Sequence, residues 1–283
     1  FTAALPTLRG ELHRYLSRMM GSVVEGEDLL QDTLLAATRA LNNGVEVRNM
    51  RSWLFRIAHN TAMNKFSARK REESMKEQFI HVPDEVSFGS EASLPEALTP
   101  YLALTPRQRS TVILRDVLGY SASEVADLTD MSISAVKSAL NRGRQALRNI
   151  PADTEPSKNR LSAAQATALA RYATLFNAHD FDGLREMLSD EVKLELVSVQ
   201  SREGKQRVSG YYTNYSKRND WLMVPGLVEG LPAILSFDRN DPNGPPTYFI
   251  LLRMDGDRVC SIRDFRYAQY AMDDARWSVV PSF

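Results

Sequence analysis

Apolar positions in the first 78 residues recur every three or four, the spacing of amphipathic helices. LRGELHRYLSRMM predicts one helix and EGEDLLQDTLLAATRAL a second, with Leu30, Leu34, Ala37 and Leu41 on one stripe. A third starts near Asn49 after the loop NNGVEVR and runs as MRSWLFRIAHNTAMNKFSARKR. Its inner side takes Leu54, Ile57 and Phe66, while Arg56, Asn60, Lys65 and Arg69 look outward. Over residues 79–95, FIHVPDEVSFGSEASLP, the periodicity is lost, and Pro, Ser, Gly and purely acidic formal charge predict a flexible linker.

Helical signals then return. TPRQ at 105–108 offers a Thr cap, Pro at the first helical position and Gln at the third, a capping box. SASE at 121–124 repeats the device with Ser121 and Glu124, and Gly119 is placed to stop the helix before it. TDMS at 129–132 joins SASEVADL to SISAVKSALNRGRQALR, a helix, tight turn and helix in which Val125, Leu128, Ile133, Val136 and Leu140 are expected to face a shared core. IPADTEPSKNR at 150–160 predicts a second polar linker. Beyond it, LSAAQATALARYATLFNAHDF predicts a helix, and VKLELVSV, AILSF, TYFILLRM and RVCSIRDF predict short strands between Gly, Pro, Asn and Asp. An α+β domain with a curved sheet against helices is the economical arrangement.

Composition narrows the function classes. A chain of 283 residues, 43% hydrophobic, supports two or three modest cores. Its formal charge is zero, yet residues 1–80 carry twelve Lys/Arg against nine acids and residues 101–150 seven against four, so polyanion-binding surfaces fit inside a neutral total. Cys260 is the only cysteine, which excludes an internal disulfide and a thiolate metal cluster and fits a reducing compartment. No run of about 18 apolar residues offers a membrane span, and the opening FTAALPTLRGELHRYL has no long apolar core with a cleavage site. A cytoplasmic protein without metal or cofactor is expected.

In a helix-turn-helix the second helix enters the major groove, so its outer side carries donors for base edges. Ser134, Lys137, Ser138, Asn141 and Arg142 fit that side, and Arg144 and Arg148, further along, fit phosphates. The plainer explanation is a solvated cationic helix end, since Lys and Arg favour C-terminal turns.

At this point LTPRQRSTVILRDVLGYSASEVADLTDMSISAVKSALNRGRQAL resembles region 4 of a bacterial RNA polymerase sigma factor of the sigma-70 family. Residues 5–71, with EDLLQDTLLAATRAL and RSWLFRIAHNTAMNKFSARKR, resemble region 2, and a short linker without a region 3 resembles the extracytoplasmic-function group. The resemblance implies that region 4 reads the minus-thirty-five promoter element and region 2 opens the minus-ten element. An opened strand needs an electropositive track and a pocket for a flipped base. The 43–51 loop is the candidate pocket; Asn49, Arg51, Arg56, Asn60 and Lys65 are candidates for the track, and Arg69, Lys70 and Arg71 for backbone phosphates. Trp53, beside Leu54, is read as core rather than as a stacking platform. Asp28, Gln31 and Asp32 match region 2.2, which implies a grip on the clamp coiled coil of the polymerase's largest subunit. The alternative for these acids is stabilisation by the helix dipole, which suits Asp28 better than Asp32.

RYATLFNAHDFDGLREMLSDEVKLELV and RVCSIRDFRYAQY resemble the start and last strand of SnoaL-like domains, cone-shaped α+β folds related to ketosteroid isomerases. Such cones hold an apolar cavity, where some relatives use an Asp or Tyr for proton abstraction. Tyr172, His179, Trp221 and Asp264 are the candidates to face it; a His in an NAHDF turn and an Asp between Arg263 and Arg266 also fit structural roles. One subgroup carries an Asp-Gly-Gly-Gly-Lys motif here, of which Arg202-Glu203-Gly204-Lys205 is a poor copy. The expected scheme is multidomain: region 2 at 1–78, a linker at 79–95, the region 4 helix-turn-helix at 96–150, a linker at 151–160 and an α+β SnoaL-like domain at 161–283. The resemblance implies a sigma factor that is not an enzyme, binding core polymerase and promoter DNA. The tethered cone is expected to contact the sigma domains and regulate them in cis. The competing reading is a small-molecule-sensing or isomerase-like cone fused to a DNA-binding module. A repressor using one helix-turn-helix leaves region 2 unexplained.

Overall fold

A computed structural model describes residues 5–78, 98–150 and 161–280, so the expected linkers at 79–95 and 151–160 lie outside the described residues. The chain divides into two compact units, one helical and one built on a sheet.

In the helical unit, α1 (Leu5–Met20) and α2 (Val23–Asn42) are joined through Gly21, whose φ of +80° is one that side chains resist, and Ser22, whose hydroxyl caps the Glu25 amide. The two helices touch at Gly26, where a Cβ would stand 2.7 Å from Ser17 backbone, so only glycine fits the crossing. Leu30, Leu34 and Ala37 are buried as the stripe requires, with Leu41 half-exposed. Helix α3 (Met50–Gln78) starts where the Asn49 side chain caps the Ser52 amide, and it buries Leu54, Phe55, Ala58 and Ala62; Ile57, Phe66 and Trp53 are half-buried.

Four helices follow: α4 (Thr99–Leu102), α5 (Pro106–Val112), α6 (Ala122–Thr129) and α7 (Ile133–Arg148). Both capping boxes form, Thr105 with Gln108 and Ser121 with Glu124. After Val112 the helix widens into a π-helical turn over Ile113–Val117 and stops at Gly119, where φ is +75°. Asp130, in the left-handed conformation, ends α6, and Ser132 caps α7, which makes the tight turn. Gly143 lets α7 lie on α5, since a Cβ would meet the Val112 side chain at 2.7 Å. Val125, Leu128, Val136 and Leu140 are buried, but Ile133 is 48% exposed. The expectation for Ile133 fails because it is the first residue of α7, emerging from the turn at the surface before the helix reaches its core; burial begins at Val136.

The second unit is a seven-stranded sheet of β1 (Leu188–Leu196), β2 (Gln200–Glu203), β3 (Trp221–Val228), β4 (Leu231–Asp238), β5 (Tyr248–Asp255), β6 (Arg258–Asp264) and β7 (Trp277–Val279). The order is β2-β1-β6-β5-β4-β3-β7, with β1 and β6 parallel and the other neighbours antiparallel. Helices α8 (Ala163–Asn177), α9 (Phe181–Glu186), α10 (Lys205–Ser209) and α11 (Tyr211–Tyr215) accompany it. The helix expected to continue to Phe181 ends at Asn177, because His179 takes a positive φ and Asp180 caps a separate helix. Strand β3 carries Pro225-Gly226, the pair that hides it in the sequence. Gly226 is required there, since a Cβ would stand 2.6 Å from the Leu235 side chain on the neighbouring strand.

Candidate functional site

Helix α7 has two sides. Val136, Ala139, Leu140 and Gly143 are buried, while Ser134, Lys137, Asn141, Arg142, Arg144 and Arg148 are exposed and Ser138 is half-buried. The helix contains no acid, so nothing on it neutralises these cations. Arg144 is matched from outside: its Nη2 lies 2.5 Å and its Nε 2.9 Å from the Asp116 carboxylate on the π-helical turn. This fork holds the guanidinium toward one side, and because it is exposed it adds little stability.

The α3 candidates lie on two faces. Arg51 and Arg69 are about five turns apart and share one. Arg51 pairs with Glu11 at 2.9 Å and stacks 4.3 Å from the Tyr120 ring centroid; Arg69 pairs with Glu25 at 2.7 Å. Arg56 and Asn60 are exposed on the other, where Arg56 donates to the Asp127 carbonyl of α6 at 2.5 Å. Lys65, Lys70 and Arg71 are exposed further along, and so are Asn49 and most of the 43–51 loop. Arg51 and Arg56 are therefore both engaged by residues of the second helical group. Sequence reasoning missed this because Tyr120 and Asp127 are remote in the chain.

That packing has a polar centre. Tyr15 hydroxyl, His59 Nδ1 and Ser110 Oγ lie within 3.0 Å of one another, uniting α1, α3 and α5. Burial pushes the His59 imidazole down to about 4. Arg109, 5% exposed, reaches from α5 to the carbonyls of Met19, Leu102 and Leu104. Its guanidinium is lowered to about 10, first by burial and then by Arg69. An unfolded histidine titrates near 6.5, so between that pH and about 4 the unfolded chain takes up a proton that the folded unit refuses. Stability of the helical unit should thus fall as pH falls through this window. In thermal unfolding at pH 7.5 and pH 5, the wild type should lose about 2 kcal/mol more than His59→Gln; equal losses would remove His59 as the cause.

On α2, Asp28 and Asp32 are exposed, Gln31 is half-buried, and Leu35, one turn on, is 49% exposed. This is a face of acids around an apolar side chain, backed by buried Leu29, Leu30, Thr33 and Leu34.

In the sheet unit, Asp264 is buried and its carboxylate accepts three hydrogen bonds. The Tyr211 and Tyr215 hydroxyls donate to Oδ2 at 2.9 and 2.7 Å, and the Arg266 amide donates to Oδ1 at 2.9 Å. Burial raises the Asp264 pKa, and these donors oppose the rise. Of its two arginine neighbours, Arg263 points to the other side of the strand and meets Glu195 at 2.7 Å, while Arg266 contributes its amide and the charge of its guanidinium. Tyr172 is buried against Tyr212, hydroxyls 3.0 Å apart. Trp221 is buried, with His179 stacked on it at 5.2 Å while the imidazole faces the carbonyls of Asn177 and Arg218. The tyrosines at 211, 212 and 215 went unnoticed, though YYTNY spaces aromatics for one helical face. Gly204 begins α10 with φ +88°, and Glu203 lies 3.8 Å from Lys193.

Residues 7–72 match the family Sigma-70 region 2, and residues 102–147 match Sigma-70, region 4. Together they define a promoter-recognition subunit of the sigma-70 class, whose members bind core RNA polymerase and promoter DNA and are not enzymes in the catalytic sense. The chain is 31% identical to the "ECF RNA polymerase sigma factor SigG" of Mycobacterium tuberculosis, over 94% of this chain and 80% of that protein. It belongs to the extracytoplasmic-function group of sigma factors. Among solved structures it is similar to the extracytoplasmic function sigma factor SigJ of Mycobacterium tuberculosis, with 17% identity and a TM-score of 0.37 over 95% of this chain and 99% of that one. An NTF2-like protein of Cytophaga hutchinsonii covers 35% of this chain and 96% of its own, at 18% identity and a TM-score of 0.27. No helix among the described residues is long and apolar enough to cross a membrane.

Proposed function

We propose that this chain, in the cytoplasm, carries core polymerase to its promoters through three surfaces. Helix α7 reads the minus-thirty-five element, with Ser134, Lys137, Ser138, Asn141 and Arg142 toward bases and Arg144 and Arg148 toward phosphates. Helix α3 and the 43–51 loop take the opened minus-ten strand. The acidic face of α2, Asp28, Gln31 and Asp32 with Leu35 at its edge, grips the clamp coiled coil of the largest subunit. The observation that carries this reading is an acid-free cationic face on α7 in the same chain as an exposed acidic and apolar face on α2.

Geometry adds a requirement. The two promoter elements are centred about twenty-five base pairs apart, roughly 85 Å at 3.4 Å per pair. With Arg56 bonded to Asp127, α3 and α6 touch, so the two helical groups must part before both elements are read. Parting also frees Arg51 from Tyr120.

The sheet unit acts in cis as a regulator rather than as an enzyme. Asp264, the residue suited to proton abstraction, has its oxygens taken by three donors inside a packed ring cluster. Tethered in the same chain, the unit stands at high effective concentration beside the surfaces it would mask or release.

Transcription by core polymerase from a promoter library, with the full chain and with a chain ending at residue 160, tests this reading. Promoter-dependent transcripts that need the added chain, and change when the sheet unit is removed, are expected; none with either chain would reject it. Within this scheme, Arg142→Ala should weaken binding to a matched minus-thirty-five duplex by about 1–3 kcal/mol in a salt-controlled titration. Equal weakening on unrelated duplexes would reduce Arg142 to a phosphate contact.

A further inference from the structure

A cavity of about 410 Å³ opens at one end of the sheet, where β3 starts, β4 ends and β5 starts. Its volume lies in the range of sites that hold small organic molecules. Trp221, Phe237 and Tyr248 line it with aromatic carbon, and Arg218 and Arg266 bring two cations.

The two arginines are not equivalent. Arg218 closes on the Asp220 carboxylate beside it, so its charge is matched. Arg266 is half-buried in the wall, its guanidinium 4.9 Å from the Tyr215 ring centroid, and no ion pair holds it among the described residues. Asp264 acts on it through space and Tyr215 through its hydroxyl, but no carboxylate closes on the guanidinium, since the Asp264 oxygens accept from Tyr211, Tyr215 and the Arg266 amide. The Trp221 Nε1 is a buried donor with no acceptor among the described residues.

We propose that this cavity binds a small aromatic carboxylate, its ring against Trp221 and Tyr248 and its carboxylate on the fork of Arg266. A guanidinium matches a carboxylate in two parallel hydrogen bonds, which favours a planar anion over a tetrahedral one. Asp220 and Asp238 on the rim further disfavour a doubly charged phosphate. The ring preference follows from the lining of Trp221, Phe237 and Tyr248, against which an aromatic ring packs in edge-to-face or offset contact. Binding here involves no polymerase or DNA, so it stands or falls separately from the promoter reading; only its effect on transcription rests on the regulatory role of the sheet unit.

Calorimetry on the full chain with benzoate, 1-naphthoate and indole-3-carboxylate, each beside its neutral carboxamide, tests the proposal. At least one acid is expected to bind, with its amide about tenfold weaker or worse. In ¹⁹F spectra of the 5-fluorotryptophan-labelled chain, the Trp221 resonance should move while those of Trp53 and Trp277 stay. Arg266→Gln should weaken the acid about tenfold and leave the amide unchanged. Thr247→Trp, placed at the exposed mouth, should block both, and it decides the matter if the Arg266 variant fails to fold. The proposal is overturned if none of the acids binds up to its solubility limit, if acids and amides bind alike, or if Thr247→Trp binds as the wild type does.

Discussion

Arg109→Met is expected to destabilise the helical unit by about 3 kcal/mol or more in denaturant unfolding. Methionine replaces the stem of the side chain but none of its donors. The carbonyls of Met19, Leu102 and Leu104 all lose their partner in a place water does not reach easily, since Arg109 is 5% exposed. Bonds from a charged donor are worth more than neutral ones, and each orphaned carbonyl adds a desolvation penalty. Met19 lies in the last turn of α1 whereas Leu102 ends α4 and Leu104 lies between α4 and α5, so the same change should loosen the packing of the two helical groups. Faster amide exchange in α4 and α5 is the expected sign. A loss below about 1 kcal/mol would mean that water replaces the guanidinium at little cost.

Asp32→Arg is expected to weaken binding to core polymerase roughly a hundredfold in a competition assay, because reversing a charge on an acidic docking face sets like charges together at a cost of several kcal/mol. Asp32 is exposed, so the thermal midpoint should hardly move and binding of a minus-thirty-five duplex should be unchanged. Equal loss of polymerase and duplex binding would indicate general damage; unchanged polymerase binding would take Asp32 out of the interface.

Where local chemistry decides the structure, the sequence was a good guide. Ser121 and Glu124, or Thr105 and Gln108, are three residues apart and satisfy each other's backbone groups without outside help. The outer side of α7 was equally legible, because one helical period sorts Val136 and Leu140 from Lys137 and Asn141. Prediction failed where a distant residue takes part. Arg56 faces outward as expected, yet it meets a carbonyl 71 positions away. Asp264 stands between two arginines in the sequence, yet alternation along β6 sends Arg263 to the other face, and beside the Arg266 amide two tyrosines about fifty residues earlier serve the carboxylate. Strand β3 escaped notice because Pro225-Gly226 reads as a turn until Leu235 is seen filling the space beside it.

The central claim is that one chain reads two separated promoter elements after its two helical groups part. Energy transfer between dyes at Arg39→Cys on α2 and Asn149→Cys after α7, in a Cys260→Ser background, measures this directly. On adding core polymerase and promoter DNA, the distance should grow by tens of ångströms, on the scale of the roughly 85 Å between the elements. An unchanged distance in a complex that still makes promoter-dependent transcripts would contradict the account.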